Sequence, residues 1–122
     1  MTEPLVLVVD DEADYLAIAA RLLKGAGYRV LESACGLDGV AAAGKNKPGL
    51  ILLDIGLPDI IGLETARRIR KLPSMARVPI LFFTVRSETN IVAEGLKIPH
   101  TGYILKPFDL QELLARVAAL LS

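Results

Sequence analysis

Polar side chains close four apolar runs in this sequence, and their types suit one chemistry. Leu5-Val-Leu-Val-Val9 ends in Asp10-Asp11-Glu12, and Leu50-Ile-Leu-Leu53 ends in Asp54. The stretch from Pro79 ends in Thr84, and the stretch from Thr101 ends in Lys106, followed by Pro107-Phe108. A carboxylate at the end of a run buried on both faces costs free energy unless a site needs it. Carboxylates packed together repel and raise one another's pKa, and a hard divalent cation relieves that conflict. Mg2+ takes one or two carboxylates, several waters and phosphate oxygens. Lys106 offers a mobile point charge and Thr84 a hydroxyl donor, both suited to a phosphoryl group. Asp54 then stands as an attacking carboxylate of the kind that forms an aspartyl phosphate. The developing charge would be met by Mg2+, Lys106 and backbone N–H groups.

These ends converge only if the runs are parallel strands of one sheet, whose ligands bind beyond the strands' carboxyl ends. The pattern along the chain supplies that sheet by alternating strand and helix signals five times. After the first strand, residues from about 12 to 25 carry Leu16, Ala19, Leu22 and Leu23 at helical spacing, with Gly25 and Gly27 as a stop. Tyr28 to Glu32 is a short, partly polar strand suited to a sheet edge. Leu37, Val40 and Ala41 mark a short second helix ended by Gly44 and Pro48. Residues 49–53 form the third strand. Gly62 to Arg70 is a helix with Leu63, Ala66 and Ile69 inward and Arg67, Arg68 and Arg70 largely solvated. Pro79 to Thr84 is the fourth strand, and a weakly patterned helix around Glu88–Leu96 closes at Pro99. Thr101 to Leu105 is the fifth strand. Asp109, with Glu112 three residues on, opens the last helix as a capping box. Helical stretches between strands imply right-handed crossovers and helices on both faces of a parallel sheet.

Composition narrows the classes. The chain has 122 residues, enough for one domain with its own core, and 52% hydrophobic residues argue against disorder. Lys+Arg and Asp+Glu both number 14, which gives no net pull toward nucleic acid or an anionic membrane. No apolar stretch approaches the roughly 20 residues of a membrane span. Met1-Thr-Glu-Pro runs directly into a strand, without a signal peptide. Cys35 is the only cysteine, so no internal disulfide forms and a reducing cytosol is expected. His100 is also alone, which leaves no cluster for zinc or a Ser-His-Asp triad.

Four pieces together resemble the receiver domain of two-component response regulators: Val-Val-Asp-Asp-Glu (8–12), Leu-Leu-Asp-Ile-Gly-Leu-Pro-Asp (52–59) with Gly62, Pro-Ile-Leu-Phe-Phe-Thr (79–84) and Tyr-Ile-Leu-Lys-Pro-Phe (103–108). The resemblance spans residues 1–122 as one receiver domain. It implies a doubly wound, flavodoxin-like α/β fold, with a five-stranded parallel sheet in order 2-1-3-4-5 and five flanking helices. It also implies a phosphorelay switch in which Asp54 accepts phosphate from the phosphohistidine of a sensor histidine kinase or a histidine phosphotransfer protein. Asp11, Asp54 and the backbone carbonyl of Gly56 would ligate Mg2+ (or Mn2+), with Asp10 holding a metal-bound water. Thr84 and Lys106 match the side chains that grip the phosphoryl group, and the Val85 backbone N–H reaches the same group. Tyr103 matches an aromatic switch that turns inward as Thr84 shifts. Such a domain is a cytoplasmic signalling protein that assists its own phosphotransfer and turns over no metabolite. Its face of helix four, strand five and helix five serves a downstream target, an output domain or a homodimer, without direct nucleic-acid or membrane contact.

Several positions depart from the family pattern. Gly56 carries no side chain two residues after Asp54, where side chains influence water access to the phosphoryl group. Ile60-Ile61 replaces a loop that is often polar and commonly acidic just before the glycine; the two isoleucines either meet a partner or fold inward. Val85 follows Thr84 where Ala or Ser is usual, and Ile98-Pro99-His100-Thr101 stands where a Gly-Ala turn usually precedes strand five. Glu12 and Asp59 are expected to be solvated charges. The competing readings are a pseudo-receiver that binds partners without phosphate, an aspartyl phosphatase and a flavin- or nucleotide-binding domain. The phosphatase would want a second acid where Gly56 stands. The nucleotide binder would want a glycine- or hydroxyl-rich loop after strand one, where three acids repel phosphate.

Overall fold

A computed structural model describes residues 3–85 and 89–122. Five strands alternate with five helices: β1 (Leu5–Val9), α1 (Ala13–Gly25), β2 (Arg29–Ser33), α2 (Gly36–Asn46), β3 (Leu50–Asp54), α3 (Gly62–Arg70), β4 (Ile80–Thr84), α4 (Thr89–Gly95), β5 (Thr101–Leu105) and α5 (Leu110–Leu121). A short 3-10 turn, Pro73–Met75, precedes β4. The strands are all parallel, in the order β2-β1-β3-β4-β5. The expected α/β architecture and strand order are therefore those of the molecule.

The period of two along each strand divides the core into two layers. Leu7, Val9, Ile51, Leu53, Ile80 and Phe82 face one side, where Ala43 of α2 and Leu63, Ala66 and Ile69 of α3 cover them. Val6, Val8, Leu50, Leu52, Leu81 and Phe83 face the other, under Ala19 and Leu23 of α1 and Leu113 and Val117 of α5. β3 and β4 are buried along their whole length. Each large apolar side chain hidden this way stabilises the fold by roughly 1.5–3 kcal/mol.

Several local expectations shift. β2 starts one residue later than the apolar pattern suggested, because Gly27, at φ 96, completes the turn and Tyr28 packs against the α1 layer instead of entering the ladder. Gly44 does not end α2; the helix continues to Asn46 and stops at Lys47, which takes a left-handed conformation at φ 51. Leu37 and Ala41 are exposed, and the inward face consists of Gly36, Gly39 and Ala43 with half-buried Val40. That small-residue face lets α2 lie close to β1: a Cβ on Gly39 would come within 2.9 Å of the Val9 side chain. α4 is described from Thr89, and Glu88, expected within it, lies outside the described residues. α5 starts as expected, with Asp109 Oδ1 accepting from the N–H groups of Gln111 at 2.8 Å and Glu112 at 3.1 Å.

Arg70 corrects its expected solvation. At the end of α3 it is half-buried, and its guanidinium donates to the carbonyls of Pro99, His100 and Met75. It ties the end of α3 to the loop that enters β5.

Candidate functional site

Parallel pairing brings the carboxyl ends of β1, β3, β4 and β5 to one edge of the sheet. Asp10 follows Val9 directly and is fully buried; its N–H donates to the Ser33 carbonyl at 3.0 Å, which prolongs the β1–β2 ladder by one residue. Asp10 Oδ1 accepts from the Glu12 N–H at 2.9 Å, turning the chain into α1. Asp54 ends β3 and is 6% exposed. Thr84 ends β4, fully buried, with its hydroxyl 3.1 Å from the Val85 carbonyl. Lys106 follows β5, and its N–H donates to the Thr84 carbonyl at 2.7 Å.

The turn after Asp54 depends on a missing side chain. Gly62 N–H donates to the Ile55 carbonyl at 2.8 Å, which brings α3 against the end of β3. A Cβ on Gly62 would lie 2.5 Å from the Asp54 carbonyl oxygen and 2.7 Å from the Ile55 Cα. Only glycine permits this approach of backbone to backbone.

Lys106 occupies the middle of the site. Its ammonium lies 2.9 Å from Asp10 Oδ2, 2.9 Å from Glu12 Oε1 and 3.6 Å from Asp54 Oδ1. The Glu12 contact is a hydrogen bond, whereas the Asp10 contact is an ionic approach outside hydrogen-bonding geometry. The Tyr15 ring lies 4.3 Å below the ammonium, and Phe108 stacks on Phe83 at 5.3 Å, so an aromatic wall backs the charge. Burial works against the Lys106 charge, but Asp10, Glu12 and Asp54 outweigh it and hold its pKa above the ordinary value.

Oxygens of Asp10, Glu12 and Asp54 all lie within 4.8 Å of one another. Burial, and then the charge of Asp10, push the Asp54 carboxyl up to about 7, with Lys106 pulling the other way. One ammonium thus faces three carboxylates, and a hard divalent cation would balance the remaining charge with the oxygen donors it prefers.

The sequence-predicted residues do not all enter this group. Asp10, Asp54 and Lys106 converge, and Thr84 stands at the same sheet edge, its carbonyl bonded to the Lys106 N–H. Asp11 is exposed and is not part of the close carboxylate group, where Glu12 stands instead. Glu12, expected to be solvated, turns its carboxylate inward to Lys106. Gly56 is exposed, its N–H 3.4 Å from Asp54 Oδ1. Val85 is 38% exposed at the mouth of the site. Tyr103, at 41%, faces outward on β5, in a groove shared with Phe108 and Arg116. Of the two isoleucines, Ile60 is half-buried against Gly36, whereas Ile61 projects outward and is 54% exposed.

Asp59, after Arg70 and Glu12, is a third charge expected to be solvated that instead has a structural partner. It caps α2, accepting from the N–H groups of Gly36 and Leu37, each at 2.8 Å. Cys35, at the N-cap position itself, supplies no side-chain bond. The Leu37 N–H, with that of Gly36, holds the Asp59 carboxyl well below the usual carboxylate range. An acid directly after a loop proline, Pro58, carries no such signal, because its partners lie 22 and 23 residues earlier.

The model of the response regulator receiver domain family matches residues 6–118. The transcriptional regulatory protein PrrA of Mycobacterium tuberculosis is 37% identical over 121 residues, which are 99% of this chain and 51% of PrrA. The chain spans about half the length of the curated relatives it matches. Among solved structures, the chemotaxis response regulator CheY4 of Vibrio cholerae superposes with a TM-score of 0.91 at 29% identity, covering 98% of this chain and 99% of CheY4. The receiver domain of the sensor histidine kinase PA1611 from Pseudomonas aeruginosa, solved with a magnesium ion in its active-site cleft, gives 0.90 at 28% identity, covering 98% of each chain. With its strand order and with Asp10, Asp54, Thr84 and Lys106 at one sheet edge, the chain belongs to the response regulator receiver domain family, the signalling module of two-component systems in its CheY-like fold.

Proposed function

We propose that this domain is a phospho-accepting switch in which Asp54 takes a phosphoryl group from the phosphohistidine of a sensor histidine kinase or a histidine phosphotransfer protein. The observation that carries this reading is the Asp54 carboxylate itself, buried at a strand end, pushed up to about 7, and 3.6 Å from the Lys106 ammonium. An Asp54 oxygen attacks phosphorus, the P–N bond of the donor breaks, and the imidazole nitrogen leaves with the bonding pair. Lys106 and the Thr84 hydroxyl take the new phosphoryl oxygens, together with the Val85 N–H.

The donor set fits Mg2+ or Mn2+. Asp11, Asp54 and the Gly56 carbonyl would hold the ion, and Asp10 would bind it through water. When bound, the ion neutralises the carboxylates and the charge on the transferring group. Magnesium in the cleft of the PA1611 receiver supports Mg2+ as the ion.

Tyr103 is the switch residue in this reading, turning inward as Thr84 engages the phosphoryl group and changing the face of α4, β5 and α5. That face meets a downstream target, an output domain or a second copy, in a cytoplasmic pathway. Among the described residues, no helix is long and apolar enough to cross a membrane. The domain works as a signalling element and not as a metabolic catalyst.

Incubation with Mg2+ and acetyl phosphate, followed by intact-mass measurement, tests the proposal. One phosphoryl adduct, lost in Asp54→Ala, is the expected result. No adduct from acetyl phosphate or from a phosphorylated histidine kinase would favour a phosphorylation-independent interaction module.

A further inference from the structure

We propose that Glu12 is a positioning residue that holds Lys106 toward the α1 side of the site, short of hydrogen-bond contact with Asp54. The inference rests on the phospho-acceptor reading and adds a residue to it.

Three observations converge on Glu12. It stands at the N-cap position of α1 yet makes no side-chain capping bond there. Its carboxylate instead accepts a 2.9 Å hydrogen bond from Lys106, whose side chain is 3% exposed. Lys106 also rests on the ring of Tyr15, in the first turn of the same helix. Glu12 and Tyr15 thus draw the ammonium toward α1, and Asp54 is left the most distant of its three carboxylates. A phosphoryl group on Asp54 would have to pull Lys106 off Glu12. In the resting state, the same hold keeps the ammonium 3.6 Å from Asp54, short of a hydrogen bond that a divalent cation would have to displace.

Glu12 is half-exposed, so its removal uncovers no core. Glu12→Gln keeps the shape and an acceptor but removes the charge that holds Lys106. The ammonium then closes on Asp54, and Mg2+ binding weakens by roughly tenfold, the scale of one misplaced unit charge near a partly buried site. The loss of a negative charge would itself weaken cation binding, and a cycle with Lys106→Met separates the two effects.

The experiment is calorimetric titration of Mg2+ into wild type, Glu12→Gln, Lys106→Met and the double variant, with thermal melts to verify folding. The expected result is a loss of about tenfold in the Lys106 background and at most about twofold in the Met background. Equal losses in both backgrounds, or none in either, overturn the proposal, the first because Glu12 would then act as a ligand or as bulk charge. Metal-free 1H–15N spectra of the lysine ammonium groups supply an independent readout. A protected Lys106 ammonium signal that is lost in Glu12→Gln supports the parking contact, and an unchanged signal overturns it. If wild type binds no Mg2+, the phospho-acceptor reading fails, and these spectra alone decide whether Glu12 holds the lysine.

Discussion

Asp59 caps a helix to which it does not belong: its Oδ2 accepts from the Leu37 N–H at 2.8 Å, and its Oδ1 takes the neighbouring Gly36 N–H. The loop that follows Asp54 is thereby fastened to α2, whose N-terminal donors would otherwise lack a side-chain acceptor. Asp59→Ala should lower the thermal midpoint, with Asn retaining part of the effect through its amide oxygen. The folded-state pKa is depressed, so the contribution is complete above the ordinary carboxylate value and is lost as pH falls below it. The gap in urea midpoint between wild type and Asp59→Ala should therefore be widest near neutrality and narrow in strong acid. A constant gap would contradict the assignment.

Asp54 has the opposite sign. Its folded pKa, about 7, lies above the ordinary value of 3.8, so between those limits the folded state binds more protons than the unfolded one. Stability should fall as pH rises from about 4 to 7 in metal-free buffer. Asp54→Asn removes the buried charge and should gain on the order of 2 kcal/mol at pH 8, with the advantage shrinking toward pH 4. Denaturant midpoints across that range, with and without Mg2+, provide the check, and Mg2+ should recover much of the wild-type deficit.

Phosphoryl uptake sorts the remaining site residues. Asp11→Ala should reduce the acetyl-phosphate adduct roughly tenfold, as expected when a metal-binding group is lost. Lys106→Ala should still accept some phosphate yet fail to alter Tyr103. The exposure of that ring, followed by 19F labelling of the tyrosines, separates uptake from transmission.

Gly62→Ala tests how tightly the site is built. The added methyl would meet the Asp54 carbonyl and the Ile55 Cα, both backbone atoms that cannot rotate away. A loss of about 3 kcal/mol or more is expected, the upper part of the range for overpacking. Guanidinium unfolding measures it, and the adduct yield should drop with it because Asp54 is displaced.

The strands and the gathering of Asp10, Asp54, Thr84 and Lys106 at one edge were legible in the sequence, because parallel strands place their carboxyl ends on one edge whatever the details; the strand order followed only from the resemblance to receiver domains. The turn after β1 was not. Position along the chain identifies three acids after Val9 but not which of them points inward, and the Asp10–Glu12 hydrogen bond decides that locally. Asp59 and Arg70 were hidden for a different reason. Apart from the Met75 carbonyl, their partners lie 22 to 30 residues away, and all are backbone groups, which leave no mark in a pattern of side-chain types. The end of α2 was misjudged because Gly44 breaks helices on average, yet here it sits beside Leu72, within a helix stabilised by tertiary packing.

The Arg70 guanidinium also limits what an engineer can change. Its hydrogen bonds to Pro99 and His100 reserve two carbonyls of the segment before β5 for a side chain 29 to 30 residues upstream. A grafted loop there must present carbonyls at the same two places, and lysine cannot stand in, because one ammonium cannot span a fork-shaped set of acceptors. The segment is exposed and looks replaceable, but it is one half of a joint whose other half is α3.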